Sequence, residues 1–275
     1  MTTSVVIPVW NGRQFLQNNL PHVLKLNTDE IIVVDDASTD DSVKFLETTY
    51  PQIKLIKHSI NQRFPKTVNE GFKHATGDIV FLLNQDAYPQ INLKHLLSHF
   101  ESNSNLFAVT FNDQHNSYAQ GQLKSGFIEF SNGPITSTSH NSLWASGGAS
   151  AFRKAFWDKL GGFDAIFTPG YFEDFDLGIR AHKAGYEIIW CQDCIINHDQ
   201  PSSAFKSAFG QNQLSNIQYR NYLLTHWKNL DSSLIPHIIE LTKRTILHPR
   251  QLPTVLQAIL KLPQIKRFST SLKDK

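Results

Sequence analysis

Short apolar runs alternate with longer segments of helical periodicity over the first hundred residues. The apolar runs are rich in β-branched residues and show little polar alternation, which is typical of strands covered on both faces of a parallel sheet. This alternation predicts right-handed βαβ units and an α/β fold with an open, doubly wound, mostly parallel twisted sheet. The predicted strands are 4–10, 30–36, 53–59 and 78–84, and the predicted helices are about 13–26, 40–50 and 65–75.

Two of these helices carry local start signals. Ser38 and Asp41 have the spacing of a capping box that would open the second helix. Pro65 suits the first turn of the third helix, where its missing N–H is not needed.

The pattern weakens after residue 111. Residues 112–142 are polar and contain glycine, so we predict a long excursion or flexible loop, which inside a compact domain is usually functional or mobile. The remaining elements are predicted from helical periodicity and helix-ending glycines. They are a short helix before Gly161, a helix over 173–185, a strand, a polar turn at His198 and a helix near 203–228.

Charge is distributed unevenly along the 275 residues. The formal net charge is only +2, yet from Leu241 onwards eight basic residues stand against the single acid Asp274. A basic tail attracts nucleic acid or an anionic membrane surface. Since no aromatic-interleaved basic groove accompanies it, we expect a membrane surface and no nucleic acid, with a solvated, partly disordered C-terminus as the alternative. Residues 251–268 have partly helical apolar spacing, as an interfacial helix would.

The two cysteines, Cys191 and Cys194, form one C-x-x-C in a segment with β character. A zinc site would need a second pair of ligands, and a thioredoxin-like motif would lie at a helix start. We therefore predict two unreactive thiols in a reducing compartment.

The N-terminus shows no basic segment followed by a long apolar one, and no apolar run approaches the roughly 20 residues that span a bilayer. We therefore expect a cytoplasmic protein, with the inner face of the plasma membrane as a peripheral location.

Polar residues follow all four predicted strands. Because ligands on open α/β sheets bind at the carboxyl ends of the strands, these residues form the candidate site. They are Pro8, Trp10 and Asn11 after the first strand, Asp35 and Asp36 after the second, Asn61 after the third, and Asn84 to Asp86 after the fourth. A dinucleotide dehydrogenase would need G-x-G-x-x-G after the first strand, and the single Gly12 excludes it.

Three features carry candidate chemistry. Asn84 and Asp86 lie two apart, a pair that suits a hard divalent cation but also forms an ordinary Asx turn. Acids at 173, 174 and 176 head a helix, which the helix dipole favours whatever the function, but the aromatic, glycine-rich segment before them is typical of a binding loop. His198 is a lone histidine, and such histidines are usually structural. Alternatively, its imidazole nitrogen would complete a metal site together with the carboxylate oxygen of Asp86.

Taken in order, these pieces resemble the family 2 glycosyltransferases of the GT-A fold. The resemblance runs from about residue 4 to about residue 228, and it rests on six segments. They are "VVIPVWN", "IIVVDDASTDDS", "NQRFPKTVNEGFKHATGDIVFLLNQDA", "GGASAFRKAFWDKLGGFDAIF", "YFEDFDLGIRAHKAGYEI" with His198, and "QYRNYL". Within the family, the chain most resembles rhamnosyltransferase and galactofuranosyltransferase types.

The resemblance implies a role for each matching position. Asp174 matches the catalytic base, Glu173 its neighbour near the acceptor, and Asp86 and His198 match ligands of a divalent cation, Mn²⁺ or Mg²⁺. The nucleotide side is matched by Pro8, Asn11, Asp36, Asn61, Asn84 and Arg220, the last as a phosphate contact. Asn84 departs from the D-x-D motif because its side chain supplies no charge.

The resemblance also implies an activity and a domain division. The expected activity is inverting, hexosyl-type transfer from a dTDP- or UDP-sugar, such as dTDP-rhamnose, to a glycan or lipid-linked saccharide in cell-surface polysaccharide synthesis. The expected GT-A domain is 1–230, with a nucleotide-sugar half at about 1–110 and an acceptor half at about 111–230, followed by a basic helical tail at 231–275. The alternatives are a non-catalytic sugar-nucleotide-binding subunit and a sugar nucleotidyltransferase. A nucleotidyltransferase would need a basic, glycine-rich phosphate loop after the first strand, and Gly12-Arg13 alone is a poor match.

Overall fold

The computed structural model describes residues 1–198, 209–229 and 234–265. Its main feature is a nine-stranded sheet with helices on both faces, and a separate two-stranded hairpin lies beside it. The predicted α/β architecture with a mostly parallel sheet is confirmed.

The strands have the following bounds. They are β1 (Thr3–Val9), β2 (Glu30–Asp35), β3 (Lys54–Lys57), β4 (Ile79–Leu83), β5 (Ala87–Gln90), β6 (Leu106–Asn112), β7 (Ala119–Lys124), β8 (Phe127–Asn132), β9 (His140–Asn141), β10 (Ala149–Arg153) and β11 (Glu187–His198). The sheet order is β3-β2-β1-β4-β10-β6-β11-β5, with β9 on β11 and with β7 and β8 forming the hairpin. Strands β1 to β4 pair in parallel, as does β6 with β11, whereas β10, β5 and β9 run the other way.

The helices have the following bounds. They are α1 (Arg13–Leu24), α2 (Ser42–Thr49), α3 (Phe64–His74), α4 (Leu93–Ser102), α5 (Lys154–Leu160), α6 (Glu173–Lys183), α7 (Gln211–Asn229), α8 (Leu234–Leu247) and α9 (Leu252–Ile259). The predicted helices of the first hundred residues are therefore present within a few residues of their expected ends. Pro65 lies in the first turn of α3, as predicted.

The apolar strands are explained by burial on both faces. In β1, Val5 and Ile7 belong to a core shared with α1, α2 and α4, whereas Val6 belongs to a second core shared with α3, α5 and α6. Phe81 and Leu82 divide between the two cores in the same way. Because successive side chains of a strand point to opposite faces, a strand covered on both faces needs apolar residues at every position.

A third apolar cluster joins the hairpin to the C-terminal helices. Phe127 of β8 is fully buried there with Phe167, Leu224 of α7 and Val255 of α9. The guanidinium of Arg244, on α8, lies 4.2 Å from the centre of the Phe127 ring. The region predicted as a loop at 112–142 thus contains the β7–β8 hairpin and β9. Phe127 anchors the hairpin by packing on residues that are far away in the sequence, so no local pattern predicts it.

Two local predictions are wrong. Ser38 does not cap α2; its hydroxyl instead accepts the backbone N–H of Asn11 at 2.8 Å, while Asp41 is the residue at the N-cap. Cys191 and Cys194 are not free thiols, since their sulfurs are joined in a disulfide. A C-x-x-C spacing on a strand does not reveal how the strand bends, and the bend brings the two sulfurs together.

The C-terminal predictions fall partly on described residues. The helix expected near 203–228 corresponds to α7, and its expected start lies outside the described residues. Lys266, Arg267, Lys273 and Lys275 of the basic tail also lie outside them. Among the helices that the structure describes, none has the length and apolar character needed to cross a membrane.

Candidate active site

A cavity opens at the carboxyl ends of β1, β2 and β4, where the sequence placed the candidate site. Six of the predicted residues line it, namely Pro8, Asp36, Asn61, Asn84, Asp86 and Glu173. Trp10, Phe64 and Tyr171 provide aromatic walls. Carboxylates, amides and aromatic rings from five separate parts of the chain therefore converge on one space.

The ends of β1 and β4 are tied together by Gln85. Its Oε1 accepts the backbone N–H of Trp10 at 2.9 Å, and its Nε2 donates to the Trp10 carbonyl at 3.3 Å. A Cβ at Gly12 would lie 2.4 Å from Oε1 of Gln85, so any other residue there would displace the Gln85 side chain. This pairing fixes the Asn84–Asp86 segment against the first strand-end loop.

Asp36 organises the loop after β3. Its carboxylate accepts the backbone N–H groups of Gln62 at 2.6 Å and of Arg63 at 2.9 Å, and Nδ1 of His58 lies 2.9 Å from it. Asn61 lies in this same loop and reaches the cavity wall. Asp36 thus orders a neighbouring part of the cavity while lining it.

A glycine pair connects Asn84 to Asp174. The backbone N–H of Asn84 donates to the Gly148 carbonyl at 2.9 Å, and the N–H of Gly147 donates to Oδ2 of Asp174 at 3.1 Å. Only glycine at position 148 leaves the Asn84 side chain in place, because a Cβ there would lie 2.2 Å from Cγ of Asn84. The end of β4 and the start of α6 are therefore bridged by Gly147 and Gly148.

Glu173 is the most perturbed carboxyl of the cavity. It is buried, and its Oε2 has no hydrogen-bond partner within the described chain. Burial raises the pKa of Glu173 well above its usual range, and the neighbouring Asp174 adds to the rise. Burial also raises the pKa of Asp174, although the N–H groups of Gly147 and Phe175 oppose that shift.

Asp174 opens onto a second depression next to the cavity. Phe130, Trp144 and Tyr222 line this depression, and Tyr171 lines both it and the cavity. The rings of Phe130 and Trp144 meet edge to face at 5.5 Å. We call this depression the aromatic groove; its lining residues are Glu129, Phe130, Trp144, Tyr171, Phe172, Asp174, Phe175, Ser215, Gln218, Tyr219, Tyr222 and Arg244.

The loop that carries Tyr171 is clamped by α7. Arg220 donates through Nη2 to the Thr168 carbonyl at 2.7 Å. Asn221 is fully buried, and its Nδ2 lies 2.8 to 2.9 Å from the carbonyls of Phe167, Gly170 and Tyr171. Sequence reasoning missed Asn221, because a buried asparagine has no pattern that separates it from an exposed one.

Unusual backbone conformations gather around the cavity. Five of the eight positive-φ residues other than glycine in the described chain lie beside it, namely Asn11, Ala37, Arg63, Tyr171 and Phe172. Such conformations cost free energy and persist where the surrounding structure fixes them, often at functional sites. Tyr171 and Phe172 are consecutive, and their turn directs the acids at the start of α6.

The third acid of α6, Asp176, belongs to a buried ion-pair network. Its Oδ2 accepts Nε of Arg180 at 2.8 Å and Nζ of Lys228 at 2.9 Å. Lys228 also donates to Asp164 at 2.6 Å. The network therefore joins α6, α7 and the 160–164 segment. Asp176 is therefore a structural residue, whereas the two preceding acids face the cavity and the groove.

Four predicted residues lie outside the cavity lining. Asn11 accepts the Thr39 N–H at 2.8 Å beside the cavity, and Arg220 lies behind the Tyr171 loop. Asp174 faces the aromatic groove, and His198 is exposed at the end of β11, opposite Ala87 in the β5–β11 pairing. His198 is thus a strand neighbour of the residue after Asp86. Asp86 itself is buried and joins no cluster of three close metal ligands among the described residues.

The sequence model of the family described as Glycosyl transferase family 2 matches residues 4–160, more than half of the chain. The chain belongs to glycosyltransferase family 2. It is 25% identical to the uncharacterized glycosyltransferase YfnE of Bacillus subtilis (strain 168), over 85% of this chain and 73% of that protein. The family assignment predicted from the motifs is confirmed, and the family 2 chain is a glycosyltransferase.

Solved structures share the fold. GalNAc-T7, in complex with UDP, GalNAc and Mn²⁺, superposes with a TM-score of 0.67 at 17% identity, covering 85% of this chain and 49% of that one. TarS residues 1–349 of S. aureus, in complex with UDP-GlcNAc, superposes with a TM-score of 0.58 at 17% identity, covering 94% and 79%. The family 2 chain therefore has the GT-A fold.

Proposed function

We propose that this family 2 glycosyltransferase moves a sugar from a nucleoside diphosphate carrier to a hydroxyl of a glycan or lipid-linked saccharide, with inversion at the anomeric carbon. One observation carries the proposal: Glu173 and Asp174 open onto two adjoining spaces, the cavity at the strand ends and the aromatic groove. The first suits a sugar nucleotide and the second a sugar acceptor, whose apolar ring faces pack on aromatic side chains.

The donor nucleotide is assigned to the cavity. Trp10 and Phe64 offer flat apolar surfaces to a base, and Asp36 and Asn61 offer oxygen acceptors to base N–H groups or ribose hydroxyls. Pro8 and Asn11 shape the loop against which the nucleoside would lie. Arg220 acts on this donor side by holding the Tyr171 loop through a hydrogen bond to the Thr168 carbonyl.

The residues present fit a divalent cation of the Mn²⁺ or Mg²⁺ type. Asp86 offers a buried carboxylate at the end of β4, Asn84 offers an amide oxygen beside it, and His198 enters from the adjoining strand pair. One or two protein ligands suit a hard cation that keeps water and phosphate oxygens in its shell. When bound, such a cation stabilises negative charge on the leaving diphosphate.

Asp174 is assigned the role of general base. The N–H groups of Gly147 and Phe175 hold its carboxylate, and the aromatic groove gives an acceptor hydroxyl access to it. The carboxylate takes the hydroxyl proton while the acceptor oxygen attacks the anomeric carbon from the face opposite the diphosphate. The bond to the diphosphate breaks as the new bond forms, so a single displacement inverts the centre.

Donor identity and pathway form the finer part of the proposal. A dTDP- or UDP-sugar, with dTDP-rhamnose as the first candidate, and an acceptor in cell-surface polysaccharide synthesis follow from the motif resemblance alone. A panel of nucleotide sugars in a thermal-shift assay with Mn²⁺ selects the donor, because a ligand that binds the folded state raises the apparent melting temperature.

The decisive experiment compares Asp174→Asn with Asp158→Asn, an exposed aspartate of α5 that pairs with Lys154. Nucleoside diphosphate release and transfer to a saccharide acceptor are measured with the donor selected above. Asp174→Asn should lower transfer by about 10²–10⁴-fold and leave donor affinity nearly unchanged, since a base acts mainly in the transition state. Near-normal turnover in Asp174→Asn would remove it from this role. Donor binding without release in the wild-type protein would favour the non-catalytic subunit instead.

A peripheral membrane location is proposed for the C-terminal helices. Ile235, Ile238 and Ile239 of α8 and Leu260 after α9 are exposed, and basic residues of the tail accompany them. Apolar residues flanked by Lys and Arg fit an anionic lipid surface. Flotation with anionic liposomes should fall in Ile238→Glu/Ile239→Glu and stay normal in Ile135→Glu, a control at an exposed isoleucine elsewhere. Equal flotation of all three would refute the location.

A further inference from the structure

A second group of metal-ligand side chains lies between α4 and β11, away from the cavity. One ligand atom each of His95, His99 and Cys191 lies within 4.8 Å of the others. Nε2 of His99 is 3.8 Å from Sγ of Cys191, and the sulfur of Cys194 is bonded to that of Cys191. Four potential ligands from two elements therefore meet in one place.

The local structure explains why these side chains converge. His95 and His99 are four apart on α4, so they share one helix face, and their ring centres are 5.0 Å apart. Cys191 and Cys194 are three apart, and in a regular strand they would face opposite sides of the sheet. The pairing of β11 with β6 shifts register between Cys191 and Ile195, and this irregularity turns both sulfurs to the α4 side.

The spacing and the donor atoms match a known kind of metal site. C-x₂-C with H-x₃-H supplies two thiolates and two imidazoles, the ligand set of tetrahedral structural zinc. Ideal zinc–ligand bond lengths place a bound sulfur and nitrogen roughly 3.6 Å apart. The separation of 3.8 Å between Cys191 and His99 is close to that value. The second ligand pair that the C-x-x-C lacked in sequence is thus supplied by α4.

We propose that the reduced protein binds one Zn²⁺ through Cys191, Cys194, His95 and His99. The disulfide and the metal site are alternative states of the same two cysteines. A dithiol reductant passes two electrons and two protons to the disulfide, the sulfur–sulfur bond breaks, and the reductant becomes a disulfide. Zinc then binds and each thiol releases one proton.

The burial of the four residues suits such a site. Both cysteines are fully buried in the core that includes Leu96 and Phe100 of α4, whereas His95 is exposed and His99 is half-buried. The histidines therefore give a metal ion a path from solvent to buried sulfur.

The expected consequence is structural. The metal would fasten α4 to the irregular part of β11, the strand that continues to His198 opposite Ala87. Zinc should therefore raise the melting temperature of the reduced protein and leave that of the oxidised protein unchanged. This inference is independent of the transfer reaction, because it uses none of the residues of the cavity or the aromatic groove.

The test uses full-length protein reduced with tris(carboxyethyl)phosphine, loaded with Zn²⁺ and passed through a desalting column before metal analysis. The wild type and the control His115→Ala/His248→Ala, which removes two exposed histidines elsewhere, should each retain one zinc per chain. His95→Ala/His99→Ala and Cys191→Ser/Cys194→Ser should bind zinc at least about 10-fold more weakly in chelator competition. Fully reduced wild type that retains no more zinc than His95→Ala/His99→Ala would overturn the proposal.

A second measurement covers variants that fail to fold. Co²⁺ bound to the reduced wild type should show thiolate charge-transfer bands and the visible bands of a tetrahedral ion. His95→Ala changes an exposed side chain and so keeps the fold, and it should shift the visible bands while retaining the thiolate bands. Identical Co²⁺ spectra for wild type and His95→Ala would remove that histidine from the site and overturn the four-ligand assignment, as would a spectrum without thiolate bands.

Discussion

Glu173 and Asp174 are adjacent in the chain, yet their carboxyl groups serve different spaces: Glu173 lines the strand-end cavity, and Asp174 lines the aromatic groove. The turn at Tyr171 and Phe172, both at positive φ, starts α6 at the boundary between the two spaces. Because the negative charge of Asp174 helps to raise the pKa of Glu173, the two carboxyls titrate as a pair rather than as independent groups.

The first prediction concerns the pH dependence of transfer. A general base must be ionised, and the raised pKa of Asp174 places its ionisation above the ordinary aspartate range. Transfer should therefore fall as pH drops through that raised value. Initial rates between about pH 4 and 8 measure the acidic limb of kcat/KM. If the residual activity of Asp174→Asn shows the same acidic limb, the titration belongs to another group.

The second prediction concerns stability and the buried Glu173. Its folded-state pKa lies above the unfolded value of 4.5, so its contribution to stability is full below pH 4.5 and is lost as pH rises through the folded value. Glu173→Gln removes this loss. Relative to wild type, the variant should gain stability from acidic to neutral pH, with a melting temperature rising about 2–4 °C per 1 kcal/mol gained. A stability difference that is constant with pH would mean that Glu173 is ionised at little cost.

The third prediction tests the contact of Asn84 with Gly148. Gly148→Ala would place a Cβ 2.2 Å from Cγ of Asn84, so the Asn84 side chain must move. Calorimetry should show weaker metal-dependent donor binding. Gly147→Ala is the matched control for donor binding, because its Cβ would make an ordinary contact at 3.5 Å with Asp174. Equal donor affinity in the two variants would show that the position of Asn84 is unimportant for binding.

Much of the strand-end cavity was predictable from sequence. Strands covered on both faces are apolar throughout, so their ends are easy to locate, and the cavity forms where those ends meet. Pro8, Asp36 and Asn84 were predicted in this way because each lies at or near the end of an apolar run. The division of labour between Glu173, Asp174 and Asp176 was not predictable, since three acids in a first helical turn give one pattern whatever each side chain contacts.

The hairpin and the C-terminal helices were not predictable for a different reason. Ile128 and His226 are hydrogen-bonded to each other but lie 98 residues apart in the chain. Asn221 likewise meets its carbonyl partners across about fifty residues. Periodicity reports local structure only, so contacts of this range leave no trace in it. His95 and His99 illustrate the same limit, because only the fold brings them to Cys191.

The fourth prediction concerns the buried ion-pair network. Asp176→Asn would leave Arg180 and Lys228 buried without their full counter-charge, and it should lower the free energy of unfolding by about 3–5 kcal/mol. Asp158→Asn removes an exposed helix ion pair and should cost about 0–1 kcal/mol. Guanidinium denaturation of both variants measures the contrast. Similar values would mean that solvent reaches Asp176.

The fifth prediction concerns two histidines that hold the β7–β8 hairpin. Nε2 of His226 accepts the Ile128 N–H at 2.6 Å, and Nδ1 of His237 donates to the Gly126 carbonyl at 2.9 Å. Burial lowers the pKa of His226 from 6.5 to about 4, and Phe127, Tyr222 and Arg244 surround it. Burial lowers the pKa of His237 as well.

Folding should become less stable as pH falls, because the unfolded chain binds protons at these two histidines more readily than the folded chain does. Stability due to His226 is therefore full above pH 6.5 and is lost as pH falls towards 4, by on the order of 3 kcal/mol. Urea unfolding from pH 7 to 4 should show a smaller loss in His226→Asn than in wild type or in His115→Asn, an exposed control. Hydrogen exchange at the Ile128 amide should accelerate over the same range, because protonation of Nε2 removes its acceptor. If His226→Asn loses as much stability as the wild type between pH 7 and 4, the acid sensitivity lies in other groups.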